Sequence, residues 1–206
     1  MIRNILAKRT TRQGKDFLEI ADDLAEIHQA YAKMLLKRYK ENPRSNFITE
    51  NDPKEMRAWI IGQRLFQSFL NQWRIPYIHD EPAFKFECER IVPDFIIPKF
   101  GSVEIKTRPW QTDTLIIKKI PWDYYVSTKT VPDYVVALKL KPEENAAQIM
   151  GYEHGVEVNK LPNAPNICIY SPCYSKLYNE LHDFRELDNL IKRCSLNPEL
   201  CNVINE

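Results

Sequence analysis

Three residues near the middle of the chain combine types and spacing that could do chemistry. Asp94 is the only acid along Ile91-Val92-Pro93-Asp94-Phe95-Ile96-Ile97, and Glu104 and Lys106 stand two apart in Ser102-Val103-Glu104-Ile105-Lys106-Thr107. Read as strands, these segments put Asp94 on one face with Val92 and Ile96, and Glu104 on one face with Lys106. Val103 and Ile105 then fill the opposite, core-like side. A short turn through Pro98, Lys99, Phe100 and Gly101 joins the two, and pairing across it brings Asp94 toward Glu104 and Lys106. Two ionised carboxylates held close together repel unless a cation joins them. Hard oxygen ligands with room for water suit Mg²⁺ or Mn²⁺, which binds through one or two carboxylates plus a substrate phosphate. Lys106 beside them could orient a water and stabilise charge developing on a phosphate. The plainer alternative is a pair of exposed strands, with Lys106 in a cross-strand ion pair worth well under ~1 kcal/mol.

The elements that must position these residues are legible in outline. A helix is expected over residues 52–73: Asp52 as N-cap, Pro53 at the first helical position and Glu55 completing a capping box. Met56, Trp59, Ile60, Phe66, Leu70 and Trp73 form its apolar stripe, and Ile75-Pro76 ends it. Gln63 lies on that same stripe, where a polar group needs a partner. Upstream, Phe17, Ile20, Leu24, Ile27, Tyr31 and Met34 recur at alternating steps of three and four, which predicts a long N-terminal helix over residues 14–44. Its stripe could face this domain or a second copy in a homodimer. Phe84, Phe86 and Cys88 alternate with charged residues as in a half-buried strand, and Tyr134–Leu138 and Ile167–Tyr170 read as further strands. Leu177, Leu181, Phe184, Leu187 and Ile191 give a closing helix. The expectation is one α/β domain: a helical extension over 14–44, a core over 52–140 with a central mixed sheet, and a C-terminal strand and helix over 141–206.

Pro93-Asp94 followed ten positions later by Glu104-Ile105-Lys106 resembles the PD-(D/E)xK nuclease superfamily, which includes many restriction enzymes and Holliday-junction resolvases. The resemblance spans the helix before the strands, the strands through Thr107 and the strand at Tyr134–Leu138, about 90 residues of the 206. It implies a restriction-endonuclease-like core and a divalent metal, Mg²⁺ or Mn²⁺, held by Asp94, Glu104 and the Ile105 carbonyl. It also implies a water-positioning role for Lys106 and hydrolysis of DNA phosphodiester bonds. Many members carry an acid on the preceding helix, where this chain has Gln63; Glu55 is about 12 Å away along the helix and fits a cap better. Gln63 would assist at the site, or else satisfy a buried backbone group. The alternative function is a DNA-binding protein of the same fold with weak turnover or none.

Substrate contact is expected just downstream, where Arg108, Trp110, Lys118, Lys119, Trp122, Tyr124, Tyr125 and Lys129 interleave cations with aromatics. Cations meet phosphates and rings can stack on unpaired bases; Trp122 and Tyr125 could equally belong to the core. A second basic group, Lys33, Lys37, Arg38, Lys40 and Arg44, ends the first helix. Composition narrows the field. Only five glycines occur among 206 residues, none spaced as GxGxxG or GxxxxGK, which excludes dinucleotide fingerprints and phosphate-cradling loops. The four histidines lack HExxH spacing and the five cysteines lack CxxC. A net charge of +1 announces no polyanion by itself. No apolar run is long enough to span a membrane, and Met1–Gly14 lacks the apolar core of a secretory signal. The odd cysteine count points to mostly reduced thiols in the cytoplasm.

Overall fold

Helix α1, Pro53–Gln72, opens on a proline, whose fixed φ suits the first turn and whose missing N–H costs nothing there. Ala58, Ile61, Leu65, Phe66, Phe69 and Leu70 form its buried stripe, stepping by three and four. The helix closes where Ile75 N–H bonds the Leu70 carbonyl and Arg74 takes a left-handed conformation. In the computed structural model the described residues are 8–12, 15–19, 53–79, 93–109, 112–141, 146–164 and 172–196. The remaining elements are β1 (Lys8–Arg12), β2 (Lys15–Glu19), β3 (Phe95–Ile97), β4 (Gly101–Pro109), β5 (Thr114–Lys118) and α2 (Lys119–Thr128). They continue as β6 (Tyr134–Lys141), β7 (Ala146–His154), α3 (Gly155–Val158), β8 (Cys173–Leu177) and α4 (Phe184–Leu196), with a 3₁₀ turn at Tyr178–Glu180.

The main sheet runs β1-β2-β7-β6-β4-β3, and β5 pairs with β8 in a small second sheet. Within the main sheet β4 and β6 are parallel and every other neighbouring pair is antiparallel. A parallel pair needs a crossover, and β5 with α2 supplies it. Strand alternation splits the core in two. Phe95, Ile97, Val103, Ile105, Val136 and Leu138 pack on one side with α1 and α4. Val135 and Ala137 pack on the other with Leu115, Ile117, Trp122, Tyr125 and Tyr174. Each large side chain buried this way contributes about 1.5–3 kcal/mol of transfer free energy. The expected α/β class with a mixed, helix-flanked sheet is what forms. No helix among the described residues is long and apolar enough to cross a membrane.

Several local expectations need correction. Lys15–Glu19 is not the start of a helix but strand β2, paired with both β1 and β7. Five residues are too few to tell one period from another, and ladder partners on both sides decide the matter. The rest of the expected N-terminal helix, with Lys33, Lys37, Arg38, Lys40, Arg44 and the stripe offered for dimerisation, lies outside the described residues. So do Asp52, the Phe84–Cys88 strand and the Ile167–Tyr170 strand. The closing helix begins at Phe184 rather than Leu177, because the Asp183 carboxylate accepts the Arg185 N–H at 2.9 Å and sets the N-cap there. Leu177 instead ends β8. The stretch after Thr107 holds β5 and α2, and β7 has no counterpart among the expected strands. In β7 Ala147, Gln148, Ile149 and Glu153 are all buried, so no alternation shows. Of the described cysteines, Cys173 is buried and forms no disulfide. Cys194 is disulfide-bonded, an exception among thiols expected to be mostly reduced.

Two glycines have steric duties. A Cβ on Gly62 would sit 1.7 Å from Thr107 Oγ1 and 2.9 Å from its Cβ, so glycine is what lets α1 close onto β4 and deliver Gln63. Gly101 has φ +128°, and a Cβ there would meet the Asp133 carboxylate at 2.6 Å. That carboxylate takes the Ser102 N–H at 2.7 Å and the Ser102 hydroxyl at 2.8 Å, pinning the start of β4 beside the start of β6. An ordinary helix gains up to about 1 kcal/mol when glycine becomes alanine. Gly62→Ala is expected to do the reverse, losing about 1–3 kcal/mol to overpacking against a stiff β-branched neighbour. Urea unfolding measures it, and a stabilised Gly62→Ala would contradict the close approach.

Candidate metal and phosphate site

Where β3 ends, a side chain continues the ladder. The last β3–β4 pair is Phe95 with Val103, so the next inward N–H on β4, that of Ile105, would ordinarily go to the carbonyl of residue 93. Instead Asp94 Oδ2 accepts it at 2.7 Å. Asp94 Oδ1 accepts Gln63 Nε2 at 2.5 Å, so one buried carboxylate joins α1 to β4. The Ile105 carbonyl lies on the same side of β4 as its N–H, and Pro93 opposite has no N–H to give it. His79 holds the Asp94 backbone from outside: Nδ1 lies 2.7 Å from the Asp94 carbonyl, and the imidazole stacks on Phe95 at 4.4 Å.

Glu104 is buried on the opposite face of β4 from Val103 and Ile105. Its Oε1 receives Lys106 Nζ at 2.5 Å and its Oε2 the Tyr125 hydroxyl at 3.0 Å. The Lys106 side chain keeps 28% of its surface while that of Glu104 keeps 9%, so the ammonium reaches toward solvent from a hidden carboxylate. Burial pushes the Tyr125 hydroxyl far above its ordinary pKa. The charges of Glu104 and then Asp94 push the same way, as does the hydrogen bond to Glu104. Tyr125 is therefore a neutral donor, and both carboxylates lie within electrostatic reach of its one hydroxyl.

Asp94 thus joins Gln63 to Ile105, and Glu104 pairs with Lys106 on the same strand. The charged donors are two carboxylates; among the described residues there is no cluster of three or more His, Cys, Asp or Glu suited to a metal. A cation here would need neutral oxygens to complete its shell. The Ile105 carbonyl is one. Gln63 Oε1, buried and without a hydrogen-bond partner among the described residues, is another. An amide oxygen left unsatisfied beside the Asp94 carboxylate is costly as it stands and suited to a hard cation.

The expected substrate-contact residues divide. Arg108 lies on the same face of β4 as Glu104 and Lys106, two positions further on. Lys118 ends β5, Lys119 begins α2 with Nζ 5.4 Å from the Tyr174 ring centroid, and Lys129 caps α2 in a left-handed conformation. No hydrogen bond or ion pair among the described residues joins these three lysines to the carboxylates. Trp110 is outside the described residues. Trp122 and Tyr125 are core, so neither ring is available to stack on a base, while Tyr124 is exposed. Tyr125 as partner of Glu104, and His79 as partner of Asp94, were not foreseen. Only the inward turn of α2, three residues on from Trp122, could have marked Tyr125. Comparison of the chain with protein-family models, with curated proteins and with solved structures found no match.

Tyr125→Phe removes one donor from a buried carboxylate, and a loss of about 1–3 kcal/mol is expected at neutral pH. The folded-state pKa is raised, so this stability is fully present below the ordinary value of 10.0 and fades as pH climbs toward the folded one. Urea unfolding of both proteins from neutral to strongly alkaline pH should show a constant gap that narrows only above about pH 10. A gap that closes at lower pH would mean the phenol ionises in the fold.

Proposed function

We propose that the protein is a metal-dependent nuclease of the PD-(D/E)xK type that hydrolyses DNA phosphodiester bonds. The observation that carries the reading is the buried Asp94 carboxylate, bonded to Gln63 and to the Ile105 N–H, next along β4 to Glu104 with its Lys106 partner, with the Gln63 amide oxygen left without a hydrogen bond. The order of elements agrees with a restriction-endonuclease-like core: α1, an antiparallel pair with Asp94 just before its first strand and Glu104 on its second, then a helical crossover to a parallel strand.

Asp94, Glu104 and the Ile105 carbonyl would hold Mg²⁺ or Mn²⁺, with Gln63 Oε1 as a neutral fourth oxygen. When bound, such an ion polarises a phosphoryl oxygen and lowers the pKa of its water. The chain's own residues do the rest. Lys106 Nζ, 2.5 Å from Glu104 Oε1, can donate to the attacking water or to a phosphate oxygen as negative charge develops. Tyr125 fixes the second Glu104 oxygen and so the direction of the first. Water oxygen forms the new bond to phosphorus as the strand's ester oxygen leaves, and the nearby ammonium offsets the charge gained between them.

One observation favours a second reading, a DNA-binding protein of this fold without turnover. Gln63 stands where an acid would add charge, and its amide already satisfies Asp94. Incubation with single-stranded, duplex and branched DNA in Mg²⁺ or Mn²⁺ decides between them. Wild type is expected to cut at least one substrate, and Asp94→Asn and Lys106→Ala to cut at least about 100-fold more slowly. Binding without cleavage would favour the second reading, and equal cleavage by the variants would remove the assigned roles.

A further inference from the structure

Lysine ion pairs in this fold differ in which partner is hidden. The side chains of Lys176 and Glu153 are 21% and 1% exposed, and those of Lys192 and Asp188 are 24% and 6%. In both, the carboxylate is hidden and the lysine reaches out to water, as its long stem allows. Lys139 and Asp113 reverse this, at 10% and 85%. A nearly buried ammonium is met at 2.7 Å by a carboxylate standing in solvent. Hiding an ammonium costs several kcal/mol unless it is well paired, whereas an exposed carboxylate swings away at little cost. The position is therefore one where an incoming anion can take the carboxylate's place.

Its location relative to the candidate site is fixed by register. Across the parallel pair, Glu104 lies beside Val135, Lys106 beside Ala137 and Arg108 beside Lys139. Val135 and Ala137 face the α2 side, so Glu104, Lys106, Arg108 and Lys139 share that face. Same-face positions on a strand repeat about every 6.6 Å, which puts the Arg108–Lys139 pair about 13 Å from Glu104. Tyr178 adjoins Lys139, whose Nζ is 5.8 Å from its ring centroid. A cavity of about 630 Å³ is lined by Asp113 and Tyr178, the two neighbours of Lys139, together with Gln148, His182 and Arg185 among others. Gln148 is the neighbour of Lys139 on β7.

We propose that Arg108 and Lys139 form a subsite for a second phosphate of the DNA strand that is cut at Glu104 and Lys106, and that Asp113 occupies this place until the strand arrives. The inference rests on the nuclease reading. It adds where the strand runs, along the shared face of β4 and β6 toward the cavity. The Arg108 guanidinium can take two phosphate oxygens at once, with Lys139 as the point charge beneath. Asp113 keeps the Lys139 ammonium paired without substrate and, by competing, lowers the affinity of strands that reach the subsite.

Binding separates this from the chemistry. Fluorescence anisotropy of short labelled DNA in EDTA, titrated with NaCl, is read for wild type, Lys139→Met, Asp113→Asn and a control, Lys160→Met, at an exposed lysine paired with Glu157. Lys139→Met should weaken binding and reduce the slope of log affinity on log salt by about 1. Asp113→Asn should tighten binding, and the control should follow wild type. If Lys139→Met fails to fold by circular dichroism, Asp113→Asn at its exposed position decides alone. Wild-type slope and affinity in the Lys139 and Asp113 variants would overturn the subsite, as would a wild type that binds no DNA. Cleavage in Mg²⁺ tests the nuclease reading separately, since a protein that cuts nothing can still show these binding shifts.

Discussion

The Asp94 carboxylate is placed where a strand stops and a helix arrives, and it serves both. One oxygen replaces the backbone acceptor that β3 no longer offers to Ile105, and the other receives the Gln63 amide from α1. Without it, a buried backbone N–H and a buried side-chain amide would each lose a partner, at about 1–3 kcal/mol apiece. The approach of α1 that makes this possible depends in turn on Gly62 against Thr107. A polar link of this kind also fixes direction. It leaves the Ile105 carbonyl and Gln63 Oε1 oriented by the same residues that hold the carboxylate.

Glu104 is anchored independently, from the other face of β4. Lys106 and Tyr125 each hold one oxygen, and the neutral Tyr125 hydroxyl adds a donor without adding charge. Two carboxylates whose fields meet at one phenol repel each other, and the protein offsets that with hydrogen bonds and a single ammonium at Glu104. A divalent cation would relieve the repulsion directly. The geometry of the site is set by the fold; under the proposed function a bound cation would complete its electrostatics.

Much of this was legible in the sequence because it rests on short-range regularities. Alternation fixed the faces of Val103, Glu104, Ile105 and Lys106, the stripe of α1 put Gln63 inward, and Pro53 marked the helix start. The failures share a cause as well. β2 is too short for its own period to choose strand over helix. β7 is buried on both faces, so Glu153 and Gln148 break the pattern a reader would seek. Tyr125 and Lys139 acquire their roles only through the crossover that lays α2 and β6 beside β4, a long-range pairing that local spacing does not encode. Composition gave no warning of the inverted exposure of Lys139 and Asp113.

The claim on which the account turns is that Asp94 and Glu104 are held together to share a cation. Crystals soaked in Mn²⁺ and measured for anomalous scattering address it directly. One peak or more is expected within bonding distance of both Asp94 and Glu104, with the Ile105 carbonyl in the shell and Gln63 Oε1 turned toward it. No peak between the two carboxylates at a Mn²⁺ concentration that labels other sites would contradict it.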